Sequence, residues 1–339
     1  MLVSLFICPI CQSPLLPSAD NWRCDGSLNA KSTAHSFDVA RQGYVNLLPV
    51  QQKKSKEPGD SQHSILARQR FLQAGHYQPL QTLIIERIKE LLDKKYAKPV
   101  ATPQTDISVH WLDIGCGEGY YTEAIAQIQG IDKLIAADIS KPAVLEVAKA
   151  SKAIKRLWFQ TAAQKDSDSK NHHAQISDDQ ALANQALEVQ TTAAMYPLVT
   201  SAAHLPLSAN SLTGISSIFS PILPAAFATL IQDHGYLMIA KPDVGHVASV
   251  REALFDDVRE HDSEKFLTEL APWFELVETR QVSTELSLSA SALADLLTMT
   301  PYAYRAKRDK RQALLAIAET QNFMTQARFV VYILQKKPL

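Results

Sequence analysis

Apolar side chains recur in two rhythms. Between Ser64 and about Lys95, the residues Ile65, Phe71, Leu72, Leu80, Leu83, Ile84, Ile88, Leu91 and Leu92 fall at helical spacing, with a break near Gly75. From Ile107 onward, short apolar runs alternate with amphipathic stretches. Ile107–Ile114 reads as a strand ending in glycines, Tyr120–Ile128 as a helix, Leu134–Ile139 as a strand and Ala143–Lys152 as a helix. Strands at Leu212–Ser220 and Tyr236–Lys241 bracket a helix around Ala225–Gln232. This alternation predicts an α/β fold with a parallel sheet covered on both faces. Trp273–Thr284 and Arg328–Gln335 flank a helical stretch and would close the sheet as an antiparallel pair.

Three segments break the rhythm. Residues 1–45 carry cysteines and lack helical periodicity, and residues 50–63 form a polar, basic, turn-rich connector. Residues 163–193 are rich in Gln, Asp, Ser, Asn and His and read as a solvated, disordered insertion. The insertion leaves the third strand open between Leu157–Ala162 and Leu198–Thr200, or the two as halves of one element. The chain thus divides into a small module at 1–50, a connector with a helical segment at 51–105, and a large domain at 106–339.

Composition narrows the class. With 46% hydrophobic and 20% charged residues over 339 positions, the chain is an ordinary globular protein. No apolar run reaches the roughly 18–20 residues that span a bilayer, so a membrane is not an expected partner. Met1–Ile7 lacks a basic n-region, which makes the cytoplasm the expected location. A net charge of −1 gives no global attraction to nucleic acid, so any such site must be a local patch. Of four cysteines, three lie within the first 24 residues; in a reducing compartment that crowding points to metal rather than disulfides.

The chemistry begins at Leu112-Asp-Ile-Gly-Cys-Gly-Glu-Gly119, which follows a strand and opens a helix. Gly115 and Gly117 permit a tight turn and let backbone N–H groups, Cys116 among them, approach a ligand. Asp113 would repel a pyrophosphate and attract an ammonium, such as the methionine end of S-adenosylmethionine (SAM). Asp138, about 20 residues on at the end of the next strand, stands where an acid accepts ribose hydroxyls. These segments resemble the first two motifs of class I SAM methyltransferases, whose Rossmann-like sheet is the expected fold. At the N-terminus, Cys8-Pro-Ile-Cys11 presents two thiolates from one turn and Cys24 offers a third. Zinc takes four tetrahedral ligands, and the fourth is His35 or else Asp25 or Asp38.

Further segments resemble the RlmA (RrmA) family of 23S rRNA guanine-N1 methyltransferases. They are Cys8–Cys11, Phe37–Val50, Pro58-Gly-Asp-Ser61, Ala67–Leu80, Leu112–Thr122 and Met299–Arg305. The resemblance implies a zinc-binding, RNA-recognising module with ligands Cys8, Cys11, Cys24 and His35. It also implies cofactor-pocket positions at Tyr77, Tyr121, Thr122 and His246, and methyl transfer to N1 of guanine 745 in a large-subunit rRNA hairpin.

Other methylation chemistries lack their residues. Carbon-5 pyrimidine methylation needs a cysteine nucleophile near a middle strand, and Cys116 lies in the cofactor loop. The turn Phe219-Ser-Pro-Ile222 lacks the amide or carboxylate acceptor of exocyclic-amine methylases, and no C-x3-C-x2-C cluster supports radical chemistry. Displacement at a ring nitrogen is left, with His246 and Asp243 the candidate bases. RNA would be held by Lys53, Lys54, Lys56, Arg68 and Arg70, and by Tyr302, Arg305 and the basic run to Arg311. The competing functions are a small-molecule methyltransferase with a purely structural zinc module and a non-catalytic RNA-binding protein. A homodimer is compatible with every one of these readings.

Overall fold

The computed structural model describes residues 4–96, 108–152, 193–256 and 264–338. The insertion expected at 163–193 (Ala193 apart) and the candidate strand Leu157–Ala162 lie outside the described residues.

The helical segment forms as two pieces. Helix α1 spans Gln62–Gln73, its N-terminus capped by the Ser61 hydroxyl, which accepts from the Ser64 N–H. That bond satisfies one of the donors that a helix start leaves unpaired. The chain then turns through Gly75, whose φ of +85° is costly for a residue with a Cβ, and re-enters a helix, α2, at Gln78–Tyr96. Leu80, Ile84 and Ile88 repeat along one face of α2 and are fully buried.

An eight-stranded sheet holds the centre. Its strands are β5 (Val45–Asn46), β6 (His110–Ile114), β7 (Lys133–Asp138), β8 (Ala194–Val199), β9 (Leu212–Ile218), β10 (Ile231–Pro242), β11 (Phe274–Leu288) and β12 (Phe323–Lys336). They stand in the order β11-β12-β10-β9-β6-β7-β8-β5. Strands β5 to β10 run parallel, while β12 pairs antiparallel with both β10 and β11. The third strand in sequence after the cofactor loop is therefore Ala194–Val199, the later of the two candidates. Helix α3 (Tyr120–Ile125) follows the glycine loop, and residues 141–152 are helical after β7. The helix predicted around Ala225–Gln232 ends at Leu230, because β10 begins at Ile231 and breaks register before Tyr236. Chain order reverses at β6, which has β7 on one side and β9 on the other, so the crevice for a ligand opens at their carboxyl ends.

The N-terminal residues form a second, four-stranded sheet. Its strands are β1 (Phe6–Ile7), β2 (Pro14–Leu16), β3 (Asn21–Cys24) and β4 (Ser36–Asp38). This small sheet is packed directly on the large one. Phe6 stacks against Trp22 at 4.6 Å and Tyr196 of β8 at 5.2 Å. The Ile7 N–H donates to the Pro206 carbonyl, and the Ser208 N–H donates to the Leu5 carbonyl. Leu5, Phe6, Leu15, Trp22, Val45 and Leu47 share one buried cluster with Leu112, Ile135, Leu198 and Leu207. The short β5, lying beyond the module's own sheet, adds a parallel edge strand to β8.

Candidate functional site

Strand β6 delivers the acidic, glycine-rich loop into the crevice. Gly115, Gly117 and Gly119 have φ of +70°, +55° and +103°, so each needs the freedom of a missing Cβ. At Gly115 a Cβ would also stand 2.4 Å from the Ser220 Cβ, whereas at Gly117 the nearest group is an Arg68 nitrogen at 3.6 Å. The first glycine therefore admits a neighbouring loop, and the second leaves room beside the turn.

Three carboxyl groups gather around this loop. Asp113 is buried, accepting from Thr122 Oγ1 at 2.5 Å and from Ser216 Oγ at 2.8 Å. Burial raises its pKa to about 6, with those hydroxyls pulling it down. Asp138 accepts from the Gly117 N–H at 3.0 Å and the Ser140 N–H at 2.8 Å, tying the end of β7 to the loop. Its pKa is likewise raised by burial. Glu118 is buried with one oxygen lacking a partner among the described residues, and burial pushes it up to about 7. Burial and these carboxylates push the Cys116 thiol well up, so it stays protonated and cannot serve as a nucleophile.

The connector closes over this loop. Gly59 packs so tightly on Ser140 that a Cβ would lie 2.8 Å from that residue's Cβ, and Ser140 Oγ donates to the Asp60 carbonyl. Asp60 in turn pairs with Arg68 at 2.6 Å, and Arg68 also donates to the Met299 carbonyl. Arg68 and Arg70 are the arginines expected to meet RNA phosphate. The structure instead turns Arg68 toward the acids, where burial opposes its charge and Asp60, Glu118 and Asp138 support it. Arg70 holds Asp295 through two hydrogen bonds.

Aromatic rings line the mouth. Tyr77, Phe219, His246 and Phe329 pack together, with Tyr77 and Phe329 at 4.7 Å, His246 and Phe329 at 4.7 Å, and Phe219 and Phe329 at 5.5 Å. Tyr121 joins through Phe219 at 6.4 Å and carries a buried hydroxyl with no partner among the described residues. His246 Nε2 lies 3.4 Å from the Tyr77 hydroxyl, and Nδ1 lies 2.9 Å from the Arg328 carbonyl. Burial lowers the His246 pKa to about 4, so the ring is neutral near pH 7. Asp243, half-buried, accepts from the Val244 N–H and from Gln281 Nε2. Phe219 was not singled out as a site residue from the sequence, because nothing in the order of residues shows that its backbone departs from the strand.

The cysteine cluster assembles on the small sheet, with Cys8 just after β1 and Cys24 at the end of β3. Ligand atoms of Cys8, Cys11, Cys24 and His35 all lie within 4.8 Å of one another. Cys11 Sγ and Cys24 Sγ are 3.7 Å apart, and His35 Nδ1 is 3.6 Å from the sulfurs of Cys8 and Cys24. A tetrahedral zinc with bonds of about 2.3 Å separates its sulfurs by roughly 3.8 Å, so the donor set fits that ion. His35 is the fourth member of the group, while Asp25 is hydrogen-bonded to Ser27 and Asp38 lies in β4 outside the cluster. The remaining expected RNA contacts are on the surface: Lys53, Lys54, Lys56 and Arg305 are exposed, and Tyr302 is half-buried beside Phe255. Among the described residues, no helix is long and apolar enough to cross a membrane.

Known proteins share these features. A family model described as RlmA, N-terminal, a zinc ribbon, matches residues 6–56. A 23S rRNA (guanine(748)-N(1))-methyltransferase of Streptomyces fradiae is 27% identical over 309 residues, spanning 89% of this chain and 87% of that protein. A protein of Micromonospora griseorubida, provisionally named 23S rRNA (guanine-N(1)-)-methyltransferase, is 34% identical over 42% of this chain and 47% of its own length. YxjB of Bacillus subtilis (strain 168), provisionally given the same name, is 26% identical over 91% of this chain and 89% of its own length. The chain thus carries an RlmA-type zinc ribbon at residues 6–56 and is similar over most of its length to proteins named as 23S rRNA guanine-N1 methyltransferases.

Proposed function

We propose that the protein is a SAM-dependent methyltransferase acting on N1 of a guanine in 23S rRNA, with a zinc-bearing ribbon assisting RNA recognition. The observation that carries the cofactor reading is the gathering of Asp113, Glu118 and Asp138 around one glycine loop, two of them with pKa values lifted to about 6 and about 7. A site that crowds buried carboxylates favours a cationic ligand, and SAM brings both an ammonium and a sulfonium. Each oxygen of Asp138 keeps a lone pair for a ribose hydroxyl, and the unpartnered Tyr121 hydroxyl offers a donor inside the same pocket.

SAM supplies a methyl group already activated for displacement by a lone pair. The chain's part is then to orient the acceptor and exclude water. The aromatic mouth suits an unstacked base, and the protonated Cys116 removes covalent attack through sulfur. Relatives named as guanine-N1 methyltransferases support N1 of a guanine as the acceptor; the Streptomyces fradiae protein is named for guanine 748, and the sequence resemblance implies 745. Asp243 and His246 are the candidate proton acceptors, and Asp243 is the more accessible. Lys53, Lys54, Lys56 and Arg305 form the proposed phosphate contacts, and Cys8, Cys11, Cys24 and His35 the zinc site. The cytoplasm, where rRNA is assembled, is the proposed location.

Methyl transfer to unmodified 23S rRNA transcribed in vitro tests this reading. Nucleoside mass mapping should find a single N1-methylguanine, and a transcript already carrying that modification should accept nothing further. Equal transfer to both transcripts would remove ring N1 as the acceptor.

A further inference from the structure

The residue that the site description leaves without a role is Phe219. It follows β9, and its N–H still donates to the Ala240 carbonyl of β10 at 3.0 Å, so the backbone stays held by the sheet. Its φ is nevertheless +55°, a left-handed conformation that a bulky side chain rarely adopts. The kink is locked from the next residue. Ser220 Oγ donates to the Ile114 carbonyl at 2.8 Å and lies 2.8 Å from Ser217 Oγ. The Ser220 Cβ occupies the space that a side chain at Gly115 would need. The cofactor loop and the Phe219 turn are thus built against each other.

This geometry lifts a large apolar ring into the crevice and leaves it 44% exposed. Three rings brace it: Tyr77 and Tyr121, each at 6.4 Å in edge-type contact, and Phe329 at 5.5 Å. The turn is held by Ser220 whatever the side chain at 219, and the residue it carries is a large aromatic ring braced at the loop's edge. Backbone strain held in place by surrounding bonds, with an apolar group kept in water, is characteristic of a ligand-contacting position.

We propose that Phe219 is the platform on which the target guanine stacks during methyl transfer. The proposal rests on the guanine-N1 reading above. Stacking engages the face of the base and leaves its Watson–Crick edge, where N1 lies, free to meet the methyl donor at the adjoining loop. It also requires the guanine to be unstacked from its RNA neighbours, so the acceptor must lie in a loop or bulge, or be flipped from a helix.

The test compares wild-type protein with Phe219→Leu, Phe219→Tyr and Phe219→Trp, using unmodified 23S rRNA transcript and SAM. Leucine keeps the apolar bulk and loses the ring. It should lower kcat/KM for the RNA by about 10- to 100-fold, the size of effect that losing one base–aromatic stack produces. Tyrosine and tryptophan should restore most of the activity. Calorimetric SAM affinity should stay within about twofold in all three, which separates a stacking role from damage to the cofactor loop. Wild-type kcat/KM in the leucine variant, or equal loss in all three, overturns the platform. So does a parallel loss of SAM affinity, because Phe219 would then act through the cofactor loop. If wild-type protein transfers nothing to guanine N1, the guanine-N1 reading falls and takes this one with it. If it transfers and the leucine variant is unaffected, only the platform falls.

Discussion

Glu118 shows how one residue can couple the cofactor loop to pH. Its carboxyl is buried, one oxygen has no partner among the described residues, and its folded pKa of about 7 lies above the ordinary carboxylate value of 4.5. Between those two values the folded state binds more protons than the unfolded state, so stability falls as pH rises from about 4.5 to about 7 and is flat above that range. In cofactor-free protein this loss is on the order of 3 kcal/mol, at about 1.4 kcal/mol per pH unit across that interval. Glu118→Gln should remove Glu118's share of this slope and leave the share of Asp113 and Asp138, which burial also raises, and denaturant titrations of the two proteins across pH 4.5 to 7.5 measure the difference directly. Because both proteins carry the same cysteine cluster, any acid release of metal cancels in the comparison. Identical pH slopes would show that Glu118 is not the buried acid described here. Asp113 differs in kind. Thr122 and Ser216 occupy its two oxygens, so it ties β6 to β9 and to the start of α3, besides adding charge to the pocket.

At the scale of elements, the zinc ribbon is joined to the catalytic sheet by shared core. Phe6 and Trp22 meet Tyr196 of β8, the main chain around Ile7 bonds to that around Pro206, and Leu15 is fully buried. A four-stranded sheet with strands of two to four residues cannot hold itself together by apolar burial alone, so metal ligation would fix the faces that carry Phe6 and Trp22. Chelator treatment should therefore lower the Tm of the whole molecule in one transition, and Cys11→Ser should reproduce that effect without added chelator. Calorimetry resolving an early ribbon transition, with the main transition unmoved, would show that the two sheets fold independently. Protein that contains no zinc by elemental analysis would remove the premise. The connector is the other joining element. Pro58-Gly-Asp-Ser61 caps α1, packs Gly59 on Ser140 and presents Asp60 to Arg68, so its composition answers to the cofactor site it covers.

For the whole molecule, charge is the guide to RNA. The net charge is −1, Arg68 faces Asp60, and Arg70 is exposed but paired with Asp295, so the exposed Lys53, Lys54 and Lys56 are the cations near the ribbon with no competing ion pair among the described residues. They lie in the chain between the ribbon and the helices that cover the cofactor loop. Replacing all three by glutamate should weaken RNA binding and flatten its salt dependence. The slope of log K against log salt should drop by about 2, from three contacts at roughly 0.7 each on single-stranded RNA. SAM affinity should be unchanged, because its acids and glycines come from β6, β7 and the loop between β6 and α3. Filter binding across a salt series gives the slope, and an unaltered slope would move the RNA footprint elsewhere, toward Arg305 and the exposed Tyr304.

Much of this architecture is written in local order. Period and turn chemistry place α2, β6, β7 and β9 close to where they lie, because an apolar run flanked by glycine has few ways to be buried. The glycine loop, Asp138 and Cys8-Pro-Ile-Cys11 are equally legible, since each is a short segment whose function needs fixed spacing. What lies far apart in the chain was decided by packing. That β5 would join the large sheet, that Arg68 would turn inward to three acids, and that His35 rather than Asp38 would complete the cysteine cluster depend on contacts between distant segments. The left-handed turn at Phe219 belongs with them. Nothing in Ile-Phe-Ser-Pro announces it, because it is set by Ser220 against Gly115, more than a hundred residues away, and by the sheet that holds both.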